Sequence, residues 1–135
     1  MPHPHDQHRY QVRLEWGVEG LARLAPADVV VVVDVLRFST TVTQALAEGK
    51  AVALDREAHA MSLNGAAVAA AAVSSGAVVM LGCLRNASAV ARAVLAEQTS
   101  RGSRTSVAII AAGELASAAD GAPLRNSLDI GERGP

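Results

Sequence analysis

Five consecutive valines, Val29 to Val33, constrain this chain more than any other stretch. A half-buried strand alternates apolar and polar residues, so a run without alternation belongs to a strand covered on both faces. Such strands are central strands of parallel α/β sheets. The run ends at Asp34, and a helix is predicted from about Ser39 to Glu48, with Ser39 or Thr40 as its cap and Gly49 closing it. Asp34 and Arg37 then stand where a strand gives way to a helix, at the carboxyl edge of the sheet. Open α/β sheets bind their ligands there. An acid and a base followed by Ser39, Thr40 and Thr41 make a candidate site for a phosphorylated ligand and its metal ion.

The rest of the chain reads as further strand and helix units. Val12, Leu14 and Trp16 alternate with Arg13 and Glu15, the period of a half-buried strand, and Val18 to Leu24 follow at helical spacing up to Pro26. Strands are predicted over Ala51–Leu54, Ala77–Leu81 and Val107–Ile110, and helices over Ala66–Ser74 and Ala87–Gln98. Residues 1–11 are expected to form a loose tail, 12–119 the α/β domain and 120–135 a flexible end rich in Gly, Pro and charge. His3, His5 and His8 in the tail make a weak metal-binding candidate beside the simpler reading of a solvated terminus.

Two segments echo each other. Asp34-Val35-Leu36-Arg37-Phe38-Ser39 lies over Gly82-Cys83-Leu84-Arg85-Asn86-Ala87 at a constant offset of 48 residues. Each has an apolar strand, then Leu-Arg, then a helix opened near a hydroxyl residue. Two such units side by side would aim Arg37 and Arg85 at one cleft, and a guanidinium grips phosphate or carboxylate through two bonds at once. Ser39, Thr40, Thr41 and Ser88 could add hydroxyls and helix N-terminal N–H groups to that grip, or simply cap their helices. Asp34 could ligate Mg²⁺, pair with Arg37 or cap the helix that follows it. Glu114, after the last clear strand, is the second carboxylate candidate for a metal. Asn64 and Asn86 are either caps or ligand contacts. The spacing argues against two covalent phosphatase chemistries. An aspartyl-phosphate enzyme of the haloacid dehalogenase type needs a second aspartate where Leu36 stands. A cysteine phosphatase built on Cys83 needs an arginine where Ala89 stands.

Composition narrows the function classes. Half the residues are hydrophobic but only 2% are aromatic, so alanine and valine must build slim, closely packed helices. A formal net charge of −1 provides no global field for nucleic acid or an anionic membrane. No apolar run approaches the roughly 20 residues of a membrane span. The single cysteine fits a reducing compartment, and a cytoplasmic location is expected.

At four places the chain resembles the 2-phosphosulfolactate phosphatase family of coenzyme M biosynthesis. They are Val33-Asp34-Val35-Leu36-Arg37 with its hydroxyl run, Asn64-Gly65-Ala66, Gly82-Cys83-Leu84-Arg85-Asn86-Ala87-Ser88-Ala89-Val90, and Ile110-Ala111-Ala112-Gly113-Glu114. Val12 to Gly17 also resembles the family's opening strand. The resemblance implies a three-layer α/β/α fold with a mostly parallel sheet in two similar strand–loop–helix halves. It also implies a Mg²⁺-dependent phosphatase acting on a small phosphorylated acid such as 2-phospho-3-sulfolactate. Carried over by motif, the site would include Asp34, Arg37, Thr40, Asn64, Arg85, Asn86, Ser88 and Glu114. The roles expected from the residue types are catalytic for Asp34, Arg37, Arg85 and Glu114, with Asp34 and Glu114 on the metal, and substrate-binding for Ser39, Thr40, Asn64, Asn86 and Ser88. The chain departs from the family in being shorter between Leu54 and Asn64 and after Arg125. The alternative expectation is therefore a truncated, inactive homologue that binds anions or forms a homo-oligomer through apolar strands left uncovered.

Overall fold

The computed structural model describes residues 3–35, 38–51, 64–115 and 124–125, with the backbone alone at 114–115 and 124–125. It is a mixed α/β fold with a four-stranded, all-parallel sheet. Strand β1 (Val12–Trp16) is followed by α1 (Gly17–Arg23), and β2 (Val29–Val33) by α2 (Phe38–Ala47) and α3 (Gly65–Ser74). Strand β3 (Val78–Gly82) is followed by α4 (Ala87–Arg101) and β4 (Val107–Ala111). A separate antiparallel pair, β5 (Glu114–Leu115) and β6 (Leu124–Arg125), sets Glu114 opposite Arg125.

The valine run sits where its lack of alternation placed it. The strand order is β1-β4-β2-β3, and Val29 to Val32 of β2 are all buried. Val30 and Val32 face a cluster with Ala108, Ile110, Phe38 and Val42, completed by Ala66, Val68, Ala69 and Ala72 of α3. Val29 and Val31 point the other way, toward Val107 and the Val90 and Val94 side chains of α4. Alanine lets α3 lie close on the sheet, since Ala69 and Ala72 have no exposed surface at all.

Connection direction explains which helix covers which face. The crossovers from β1 to β2 and from β2 to β3 both run one way along the sheet, and they carry α1, α2 and α3. The crossover from β3 to β4 runs back past β2 and carries α4. Crossovers of one hand that run in opposite directions must lie on opposite faces. The two echoing units therefore place neighbouring strands side by side while their helices, α2 and α4, join different clusters.

Two sequence expectations meet a different arrangement. Strand β1 forms as predicted, but its covered face is the charged one. Arg13 is only 7% exposed, whereas Val12 and Leu14 are 60% and 56% exposed. The Arg13 guanidinium reaches four backbone carbonyls: Tyr10 (2.9 Å), Ala25 (3.0 Å), Pro26 (3.1 Å) and His8 (3.4 Å). A buried charge is tolerated when most of its donors are engaged in this way. Beside it, Glu15 binds Arg23 of α1 at 2.7 Å. The opening tail is not loose over residues 3–10. Asp6 O accepts from Ala25 N at 2.9 Å, and the Gln7 amide binds both backbone groups of Leu14.

The strand predicted over Ala51–Leu54 lies outside the described residues except for Ala51. The flexible end predicted over 120–135 does too, except for the short β6. Among the described residues, no helix is long and apolar enough to cross a membrane.

Candidate functional site

The carboxyl edge of the sheet is organised around the end of β2. Ser39, fully buried, donates from Oγ to Val32 O (2.9 Å) and accepts there from Asp34 N (3.2 Å), while its own N–H donates to Asp34 O (3.0 Å). One hydroxyl thus joins the last turn of the strand to the first turn of α2. Thr40 Oγ1 donates to Val35 O at 2.6 Å, and Thr43 Oγ1 donates to Ser39 O at 2.7 Å. The run that the sequence offered as a substrate contact is used, at Ser39 and Thr40, to hold the loop that carries Asp34.

Asp34 is 7% exposed, and its Oδ2 accepts from Gly65 N at 3.2 Å. Gly65 opens α3, whose first N–H groups have no partner within the helix. A carboxylate at that end is favoured by the helix dipole as well. Asp34 thus caps α3, where the sequence had offered the helix that follows it directly. The glycine is required by close approach. A Cβ at position 65 would lie 2.6 Å from Asp34 Oδ2 and 2.8 Å from Phe38 Cβ. Asn64 stands at the N-cap position of α3, half-buried.

The loop after β3 lies next to this one, because Val33 pairs with Gly82. Asn86 clamps it, accepting from Cys83 N (2.8 Å) and donating to Leu81 O (2.8 Å) and Thr43 Oγ1 (3.3 Å). Arg85 is exposed and donates to the Gln44 side-chain oxygen of α2. Ser88 is exposed in the first turn of α4. On the other side of β2, Ala112 N donates to Val33 O at 2.9 Å, and Gly113 turns the chain with φ 72° into Glu114.

The order β4-β2-β3 thus sets the Asp34 loop between the Gly113-Glu114 segment and the Cys83–Asn86 loop. The β2 and β3 loops leave toward opposite faces, the arrangement that opens a crevice at strand ends in α/β sheets. Asp34, Ser39, Thr40, Asn64, Arg85, Asn86 and the backbone of Glu114 all belong to this edge. Arg37 lies outside the described residues, as does the Glu114 side chain. Thr43 and Gln44 were missed in the sequence, yet they bind the neighbouring loop. Their signal was helical spacing, one turn on from Ser39 and Thr40 on the same face.

Cys83 is buried beneath this loop, and its thiol donates to Thr43 Oγ1 at 3.6 Å. Burial pushes the thiol up. Contacts with the Thr43 side chain, the backbone N–H groups of Asn86 and Arg85, and the Thr40 side chain outweigh that and hold it below its ordinary value. Among the described residues, no three His, Cys, Asp or Glu side chains gather as a metal site, and the tail histidines are no exception. A carboxylate oxygen such as that of Asp34 is the hard donor Mg²⁺ takes, with one or two carboxylates and several waters. At the opposite end of the sheet, an apolar cavity of about 290 Å³ lies between α1 and α3. Its only side-chain polar group, the Ser75 hydroxyl, is bonded to Ala72 O. That cavity has nothing with which to grip an anion.

Compared with known proteins, the chain matches no family model, no curated protein and no solved structure.

Proposed function

We propose that this chain is a Mg²⁺-dependent phosphatase for a small phosphorylated acid, of the 2-phospho-3-sulfolactate type that its sequence resemblance implies. One observation supports the reading above the others. Strand β2 lies between β4 and β3, so Asp34 is flanked by the Arg85 loop on one side and Gly113-Glu114 on the other. In this reading Asp34 and Glu114 hold the metal, which neutralises charge on the phosphoryl group when bound. Arg85 exchanges Gln44 for the substrate, and Arg37 grips its second anionic group. Ser88 and Asn64 contribute polar contacts. Ser39, Thr40 and Asn86 act as positioning residues, because their hydrogen bonds hold the loops. The substrate is small and anionic, with no part for nucleic acid or membrane, and the protein works in the cytoplasm.

The test is turnover of a generic phosphomonoester by the pure protein, with and without Mg²⁺. Metal-dependent hydrolysis that disappears in Arg85→Ala and Arg37→Ala supports the enzyme. A second reading is favoured by the internal use of Asp34, Ser39 and Asn86: an anion-binding homologue without catalysis. Sulfate or phosphate binding without hydrolysis would select it.

A further inference from the structure

The outer edge of β1 is plugged by a side chain. Gln7 Nε2 donates to Leu14 O at 2.8 Å, and Gln7 Oε1 accepts from Leu14 N at 3.0 Å. A primary amide offers one donor and one acceptor side by side, so it reproduces what a neighbouring strand would present. Gln7 also takes the one positive φ among the described non-glycine residues, 57°. Outward backbone groups recur every second residue, at Val12, Leu14 and Trp16. Trp16 N is occupied too, by Glu15 Oε2 at 3.3 Å. An edge strand with unpaired groups is a template for another strand, and proteins blunt such edges.

We infer that Gln7 is an edge plug, and that the partner it excludes is β1 of a second copy of this chain. The sequence of β1 is self-complementary about Leu14. In an antiparallel pair centred there, Leu14 meets Leu14, Val12 meets Trp16, and Arg13 meets Glu15 across the axis. Leu14 directs both its N–H and its C=O outward, as a hydrogen-bonded antiparallel pair requires. Arg13 and Glu15 keep their partners within the chain on the covered face, and the register sets no like charges directly opposite. The exposed Val12 and Leu14 side chains would gain apolar neighbours on joining. The surface is thus built for pairing and is held shut by residue 7.

The experiment compares the native mass of the full chain with that of Gln7→Ala by analytical ultracentrifugation over a range of concentrations. The unplugged variant should double its mass with rising concentration, whatever the mass of the parent. The added substitution Leu14→Lys, which sets two ammonium groups on the axis, should reverse the doubling. A folded Gln7→Ala that keeps the parent's mass overturns the inference, as does doubling that Leu14→Lys leaves untouched. Should Gln7→Ala fail to fold, Gln7→Asn serves instead. It is one methylene too short to reach both Leu14 groups, and the same two results decide.

Discussion

Substituting Gly65 by alanine probes the contact that ties two distant motifs together. The added Cβ would sit 2.6 Å from Asp34 Oδ2 and 2.8 Å from both Cβ and Cδ1 of Phe38. Phe38 is 1% exposed and has nowhere to retreat. Forcing a methyl into a filled site costs roughly 1–3 kcal/mol. If α3 backs away instead, the 3.2 Å bond from Gly65 N to Asp34 is lost. A hydrogen bond to a charged group contributes about 1.5–3 kcal/mol. The two costs are alternatives and do not add. Alanine's better helix propensity returns at most about 1 kcal/mol, less in the first turn. The net loss is about 2 kcal/mol. In urea, with a slope of about 2 kcal/mol/M, the midpoint should fall by about 1 M at unchanged slope. The same substitution made in an Asp34→Ala background should cost less, by at least about 0.5 kcal/mol, because one of the clashing groups has gone. A Gly65→Ala protein as stable as the parent, or a cost identical in both backgrounds, would refute the proposed packing of α3 against Asp34.

Other perturbations follow from the same geometry. Ser39→Ala removes the partner of Asp34 N and Val32 O in a fully buried site, and should lower stability by about 1–3 kcal/mol in chemical denaturation. Arg13→Met leaves four carbonyls without their guanidinium and should cost about 2–4 kcal/mol, read in the same assay together with faster amide exchange over residues 6–10. Asp28 accepts from the backbone N–H of Ser106, which is the main reason its carboxyl is held below the ordinary 3.8; the Ser106 hydroxyl and Arg101 add to this. A depressed carboxyl contributes stability above its unfolded value and loses it as pH falls through the folded one. The urea midpoint should therefore drop as pH falls below about 4, and Asp28→Asn should flatten part of that drop.

What could be read from the sequence was what local pattern decides. The valine run specified a doubly covered strand, and hydroxyl residues after it specified a strand-to-helix joint at the carboxyl edge. Neither needs knowledge of the rest of the chain. The covered face of β1 was not legible, because a period of two says that the faces differ and not which one a helix will overlay. That choice belongs to the crossover direction, which carries α1 over the Arg13 and Glu15 side. Arginine's long stem and five donors then made burial of the charged face possible. The Leu-Arg echo had the same limit. It placed two loops side by side, as Val33 and Gly82 are, but it could not say that the return crossover would send α4 to the far face.

The role of hydroxyl and amide side chains was the hardest to read, because a cap, a loop clamp and a ligand contact all require the same residue types. Ser39 and Asn86 resolve this by geometry. Each spans backbone groups on both sides of a strand end, at distances of 2.8 to 3.2 Å. Groups so engaged are costly to redirect, since each departing bond leaves a buried partner unpaired. Any anion bound at this edge must therefore be gripped by side chains that can leave their present partners cheaply. Among the described residues of the β3 loop, Arg85 meets that condition, being exposed and bonded only to an exposed glutamine. The edge thus sets a hydrogen-bonded frame, Asp34 with Ser39, Gly65 and Asn86, beside an exposed cation, Arg85. A ligand that binds there should be sensed at Arg85 and leave the frame's hydrogen bonds in place.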